Sequence, residues 1–147
     1  MKVSTKVEYG LIAIIDVAIN SEENKSVNSV QIAERHGISK KFLEQIMNAL
    51  RTAKLVVALK GAKGGYRLVK SPKDITLTDI LNALDISILE DNSKNFSYQS
   101  DIKQIVDTMV WKKLNDSMLE LSNNVTLDSL IESYKSTKNF DSYMYYI

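Results

Sequence analysis

The chain has 147 residues, with 19 Lys and Arg, 18 Asp and Glu, one His, one Pro and no Cys. That length suits one domain, or a small domain with an appended arm, and a core forms at this size without staples. The lack of Cys excludes disulfides, a thiolate nucleophile and Cys-held zinc or iron–sulfur centres, and one His leaves no room for a His-rich metal site. The net charge of +1 hides a split: residues 1–72 hold twelve basic and six acidic residues, a balance of +6, whereas residues 73–147 hold seven and twelve, a balance of −5. The first half therefore suits a polyanion and the second does not.

Ser4-Thr5 caps a first helix, expected from about Thr5 to Asn20, because Tyr9, Leu11, Ile12, Ile15, Val17, Ala18 and Ile19 recur at helical spacing. Its apolar run contains Asp16, is too short to span a bilayer and lacks the small-residue cleavage site of a signal peptide, so a cytoplasmic location is expected. After the polar stretch Ser21–Lys25, Asn28 caps a short helix, Ser29 to His36, which Gly37 stops as a left-handed cap. His36 at that corner reads as a residue of the helix end. Ser39 then caps a longer helix, Lys40 to about Ala53, with the apolar stripe Leu43, Ile46, Met47 and Leu50.

The period changes next. Leu55–Leu59 is short and β-branched, Lys60–Gly65 is a turn with three glycines, and Tyr66–Val69 is a second strand, which together predict a β-hairpin. Ser71-Pro72 closes that unit. Thr76 caps a helix from Leu77 to about Leu84 with Asp79 early in it, and Ser87 to Gln99 reads as a loop. A long helix is expected from Ser100 to about Leu121. Ile102, Ile105, Val106, Met109, Val110, Leu114, Met118 and Leu121 line it at three- and four-residue steps with Val110 extra, close to a coiled-coil seam. Thr126 caps a last short helix, Leu127 to about Lys135, before the aromatic tail that ends in Tyr145, Tyr146 and Ile147.

Helix, short helix, glycine turn, longer helix and glycine-turned hairpin is the order of a winged helix-turn-helix. The fold class expected is thus mainly α with a small β-hairpin: a winged helix-turn-helix domain over residues 1–85, and a linker, long dimerisation helix and tail over 86–147. A major groove accepts one α-helix, so polar residues at the start of the longer helix are the base-reading candidates: Ser39, Lys40, Lys41, Phe42 and Gln45. Gln45 can pair bidentately with adenine, Ser39 and Lys41 can reach bases or phosphates, and Phe42 can touch a thymine methyl. On the hairpin, Lys60, Lys63 and Arg67 supply charge, and Gly64 and Gly65 let backbone approach a narrow minor groove. No phosphate-loop motif and no nucleophile–base pair occurs, so an enzyme is not expected.

Lys2-Val3-Ser4-Thr5-Lys6 with Tyr9-Gly10-Leu11, Ile32-Ala33, Ile38-Ser39 with Phe42–Ile46, Gly61, Gly64-Gly65-Tyr66, Leu68, Pro72, Ile75 and Thr78-Asp79-Ile80 together resemble the IscR/NsrR/CymR-type family of bacterial repressors, Rrf2. The resemblance covers roughly residues 1–85 and is far more specific than any one piece. It implies a homodimer joined through the long C-terminal helix, a near-palindromic DNA operator, and DNA contacts from Lys2, Thr5 and Tyr9.

The chain also departs from the family. Many relatives hold an iron–sulfur cluster on three cysteines in the loop that corresponds to Ser87–Gln99, which here has none, so no cluster and no other cofactor is expected. Glu8, near where some relatives recruit an acidic ligand, reads as a surface carboxylate. Val7-Glu8 replaces a typical Gly-Arg, and Lys54 and Lys60 stand where relatives often have Gly and Arg. Lysine is a point charge without arginine's fork, which weakens base reading by the hairpin but not its attraction to the minor groove. The tail resembles that of the family's cluster-free branch, which represses cysteine metabolism under the control of cysteine synthase. That enzyme accepts a partner's C-terminal Ile, so the resemblance implies Tyr145, Tyr146 and Ile147 as partner contacts. The alternative is that the tail packs on its own dimer. A regulator sensing another small molecule or a redox signal, and a protein–protein adaptor on the same scaffold, remain open at this level.

Overall fold

The first helix is the axle of the molecule. The computed structural model describes residues 2–90 and 100–145, without the side chains of 142, 143 and 145. In it α1 (Thr5–Asn20) starts where the Ser4 hydroxyl accepts a hydrogen bond from the Val7 amide at 3.3 Å. Val7, Ala13, Ile14, Val17 and Ala18 are all buried, because several other elements pack around this helix. Gly10 permits the closest approach: a Cβ there would fall on the Leu84 side chain.

α2 (Ser29–His36) opens on a capping box in which Asn28 accepts from the Val30 amide at 2.7 Å and Gln31 accepts from the Asn28 amide at 3.3 Å. Gly37 closes it at φ 63°, and the Ile38 amide returns to the Ala33 carbonyl. α3 (Lys40–Thr52) follows directly, capped by Ser39, and buries the expected stripe of Leu43, Ile46, Met47 and Leu50. Its end repeats the α2 geometry with a different residue. The Leu55 amide bonds the Leu50 carbonyl and the Lys54 amide bonds the Arg51 carbonyl, which puts Lys54, not a glycine, in the left-handed region at φ 60°.

β1 (Val56–Leu59) and β2 (Gly65–Leu68) pair antiparallel from Val56↔Leu68 to Leu59↔Gly65. Each strand differs by one residue at its ends from the sequence expectation: Gly65 pairs with Leu59, while Leu55 and Val69 lie outside the named strands and are joined by one bond from the Val69 amide to the Leu55 carbonyl. Val27 adds a third, single-residue rung, exchanging both backbone bonds with Tyr66 at 2.9 and 2.8 Å. A 3₁₀ turn at Pro72–Asp74 leads to α4 (Leu77–Leu84), whose capping box pairs Thr76 with Asp79. A second 3₁₀ turn, Ile86–Ile88, opens the segment read as a loop, and the rest of that loop from residue 91 to 99 lies outside the described residues.

The long C-terminal helix is a rod of three parts: α5 (Asp101–Val106), a π-helical turn (Asp107–Trp111) and α6 (Lys112–Asn124). The sequence predicts one helix to about Leu121, with Val110 extra in its seam, and the structure corrects this in two ways. The rod runs to Asn124, and Met118, expected on the seam, is half-buried and packs inward on the chain's own core. A π turn takes up one residue more than an α turn, so every side chain beyond it is set back around the rod. The last helix, α7 (Leu127–Tyr145), is also longer than its expected end near Lys135. No Gly or Pro interrupts it, the Thr137 hydroxyl bonds back to the Ser133 carbonyl, and Lys138 lies over the Tyr134 ring at 5.8 Å, so the helix continues after its burial has ended. Its start belongs to the same core as the first half. Leu127 and Ile131 are buried there, the Leu77 amide bonds the Val125 carbonyl and the Leu127 amide bonds the Ile75 carbonyl, each at 2.8 Å.

A carboxylate is buried at the junction of α1 and α2. Asp16 on α1 is 5% exposed and holds the end of α2. Arg35 grips it with two bonds, Nε to Oδ2 at 2.8 Å and Nη2 to Oδ1 at 2.7 Å, while His36 Nε2 meets Oδ2 at 2.7 Å and Asn20 Nδ2 donates to Oδ1 at 3.0 Å. A carboxylate only accepts, so Nε2 carries the histidine proton here. Burial pushes the Asp16 carboxyl up, but the bonds from Arg35 and His36, the Arg35 charge and the Asn20 bond outweigh it and hold the group below the ordinary carboxylate range.

Two predictions follow. Asp16→Asn destabilises the fold by about 1–3 kcal/mol near neutral pH. Because the folded-state carboxyl is depressed, its contribution is complete above the ordinary aspartate range and is lost as the pH falls through the lowered value, so chemical denaturation at a series of pH values shows the gap between wild type and Asp16→Asn narrowing as the medium is made more acidic. Lys54→Gly relieves a left-handed lysine and raises stability by about 0.5–1 kcal/mol, read as a higher denaturant midpoint at constant m.

Candidate nucleic-acid interface

The start of α3 is held against the start of α1 by two aromatic rings. Tyr9 and Phe42 meet edge to face with centroids 6.0 Å apart, and both are half-buried against the core. Phe42 is thus part of the joint between two helix ends. Around this joint Lys2, Thr5, Ser39, Lys40, Lys41 and Gln45 are all exposed. Ser39 spends its hydroxyl on the cap, accepting from the Phe42 amide at 3.2 Å. Because α1 and α3 each begin here, their free amides and positive dipole ends add to the charge of the lysines.

The hairpin forms a second group. Lys60 and Lys63 are exposed at its tip. The tip is tied to the loop between α1 and α2 by the Ser26 hydroxyl, which donates to the Lys63 carbonyl at 2.7 Å. A shallow groove there brings Lys63 and Gly64 together with Lys25, Asn28 and Gln31 at the beginning of α2. Lys25 and Gln31 were not among the residues singled out from sequence; the Asn28 cap was the signal that a helix starts beside them.

Gly64 and Gly65 have a structural reason for being glycine. A Cβ on Gly64 would sit 2.5 Å from the Leu59 carbonyl oxygen, and one on Gly65 would sit 2.6 Å from that of Val27. Both are crowded by the protein's own backbone. Arg67 lies apart from the tip. It pairs across the hairpin with Val57 and lines a cleft with Ala18, Glu22 and Pro72 at the far end of α1.

The rod presents the other predicted group. Ile102 is 76% exposed and Leu121 60%, and Ile105, Val106, Met109, Val110 and Leu114 are exposed as well, joined by Trp111, which the sequence reading had left out. Of the predicted tail contacts, the Tyr145 side chain, Tyr146 and Ile147 lie outside the described residues.

Comparison with known proteins agrees with this arrangement. The family model Rrf2, described as an iron-dependent transcriptional regulator, matches residues 3–133. The chain is similar to the HTH-type transcriptional regulator IscR of Pectobacterium carotovorum subsp. carotovorum (strain PC1), 32% identical over 133 residues, covering 90% of this chain and 80% of that protein. Among solved structures, CymR (YrzC), the global cysteine regulator of B. subtilis, superposes with a TM-score of 0.76 at 30% identity, covering 90% of this chain and 98% of that one. T. potens IscR superposes with a TM-score of 0.76 at 33% identity, covering 93% and 90%. The iron in the family description finds no matching donor set among the described residues. The chain has no Cys, and among the described residues no group of three or more His, Asp or Glu side chains could hold a metal ion. Nor is any helix among the described residues long and apolar enough to cross a membrane. With a family model spanning nearly the whole chain, and winged-helix regulators as its structural neighbours, the chain belongs to the Rrf2 family of DNA-binding transcriptional regulators.

Proposed function

We propose that this chain is a homodimeric repressor that works without an iron–sulfur cluster, in the cytoplasm, on a near-palindromic operator. Residues 1–85 are its DNA-reading unit and residues 86–147 its pairing unit and tail. The observation that carries this reading is the joint between α1 and α3, which gathers Lys2, Thr5, Lys40, Lys41 and Gln45 around two helix starts.

In this mechanism α3 enters the major groove by its N-terminal turn. Gln45 pairs with an adenine edge, Lys40 and Lys41 neutralise flanking phosphates, and the uncovered edge of Phe42 meets a thymine methyl. The start of α1, with Lys2, Thr5 and Tyr9, clamps the backbone on one side. Lys60 and Lys63 at the hairpin tip enter the minor groove on the other, where lysine is drawn by potential rather than by base identity. Arg67, Gly64 and Gly65 support the hairpin, with Arg67 too far from the tip to read the same base step. Two chains related by a two-fold axis read two half-sites.

Likeness to the cysteine regulator of B. subtilis, together with the lack of Cys, favours a role in sulfur metabolism. In that role the tail residues Tyr145, Tyr146 and Ile147 are the contacts for cysteine synthase.

Gel shifts test the DNA reading. Gln45→Ala loses about 1–3 kcal/mol of operator affinity and relaxes one base position, whereas Lys63→Ala weakens all sequences alike and lowers the slope of log affinity against log salt by about 1. Unchanged operator affinity in Gln45→Ala would show that α3 is not the reading helix, and a flat salt dependence of the wild type would point to an adaptor instead. For the tail, a pull-down with cysteine synthase is expected to succeed with the full chain and fail once Ile147 is removed; equal recovery of both would rule the tail contact out.

A further inference from the structure

Arg67, which the sequence places among the DNA contacts, is set away from them by the fold. About 13 Å of strand separates it from Lys63 at the hairpin tip. The Tyr9–Phe42 joint belongs to the start of α1, whereas the cleft that Arg67 lines lies at its end. The guanidinium is half-buried and makes no hydrogen bond or ion pair among the described residues. A cation drawn partly out of water without a partner carries a desolvation cost that a bound acceptor would offset.

The cleft has a volume of about 520 Å³, the size of a small-molecule site. Val57 and Arg67 pair directly across the hairpin, so their side chains share one face. Ala18, Leu68 and Pro72 extend the apolar wall, and Val69 at its edge is 53% exposed. The two sides of the cleft differ in charge. Arg67 and Lys70 stand on the hairpin side. Ser21 and Glu22 stand opposite, where α1 ends. The last carbonyls of that helix lack helical partners, and its last turn holds no basic residue to answer them. Among the described residues the Glu22 carboxylate meets only Lys135 of α7, at 3.4 Å, with the two side chains 58 and 49% exposed. So exposed a pair is weak, and a bound cation displaces the lysine at little cost.

We infer that this cleft binds a free α-amino acid with an apolar side chain. The carboxylate takes the fork of Arg67 with Lys70 beside it, the ammonium lies between Glu22 and the end of α1, and the side chain covers Val57, Leu68 and Pro72. The class of ligand follows from the three features together. An inorganic anion leaves the apolar wall and Glu22 unanswered, and a hydrocarbon leaves Arg67 unanswered. A carboxylate meets a guanidinium in its plane with two parallel bonds, which a lysine alone cannot offer. The site is distinct from the DNA-reading joint, so the inference stands or falls without the operator.

Amide NMR titration of the full chain without DNA tests it. L-Leucine is expected to bind with a dissociation constant of about 1 mM or tighter, moving the amides of Ser21, Glu22, Arg67 and Lys70. Isocaproate, isoamylamine and glycine each lack one of the three matched features, and each is expected to bind at least about threefold more weakly. Arg67→Met weakens leucine and isocaproate alike by about tenfold or more, whereas Glu22→Gln weakens leucine by about threefold and leaves isocaproate as it was. No change with leucine up to about 10 mM, or changes confined to other residues, would overturn the inference. Isocaproate binding as tightly as leucine would reduce the cleft to a plain anion site and overturn it too, as would unaltered leucine binding in Arg67→Met. If Arg67→Met does not fold, the ligand series on the wild type decides.

Discussion

A single buried carboxylate organises the DNA-reading half. Asp16 sits in an otherwise apolar core and would be costly there unless every lone pair were met. Arg35, His36 and Asn20 meet them, and two of the three belong to the last turn of α2. The bonds are directional, so they set the angle of α2 on α1 in a way that apolar contact alone would not. Since only three residues separate the end of α2 from the start of α3, with Gly37 and the Ile38 amide defining the corner, the direction of the recognition helix follows from where Asp16 holds Arg35 and His36.

The other side of the unit is braced by backbone. Val27 exchanges two bonds with Tyr66, and Ser26 holds the carbonyl of Lys63, so the hairpin tip cannot swing freely from the loop that starts α2. The glycines at the base of the tip are dictated by this crowding. Lys54 is the exception to the economy of the fold: it takes up a left-handed cap that glycine would occupy without strain. Seen with the Tyr9–Phe42 joint, the result is a rigid frame whose charged groups lie at its free ends, while the acidic second half carries the rod and the last helix.

Much of the frame was legible in the chain itself. The caps at Ser4, Asn28, Ser39 and Thr76, the stop at Gly37 and the stripe of α3 are local devices, each decided by residues within four positions of one another. The hairpin was readable for the same reason, to within a residue. Asp16 was not. In sequence it is a polar interruption of an apolar run, and two of its three partners, Arg35 and His36, are nineteen and twenty residues away. The length of α7 was missed because nothing local stops a helix there and nothing local demands that it continue. Of the candidate site, the exposed ends of α1 and α3 could be named from the motif, but their joining through Tyr9 and Phe42 could not.

The rod shows the division most plainly. The amino-acid sequence alone determined that an apolar helix follows the winged unit, that its pattern slips by one residue near Val110, and that no cysteine is available to hold a cluster. It also determined the opposed charges of the two halves. What the tertiary structure decided was how the slip is absorbed. Asp107 and Ser122 are both buried, with α6 packed on α4, and a regular helix cannot turn both to one side while keeping Ile102 and Leu114 exposed on the other. The π turn reconciles the two faces. Periodicity records that a mismatch exists, but which of two faces yields to it depends on contacts with parts of the chain that are distant in sequence, and those exist only once the fold has formed.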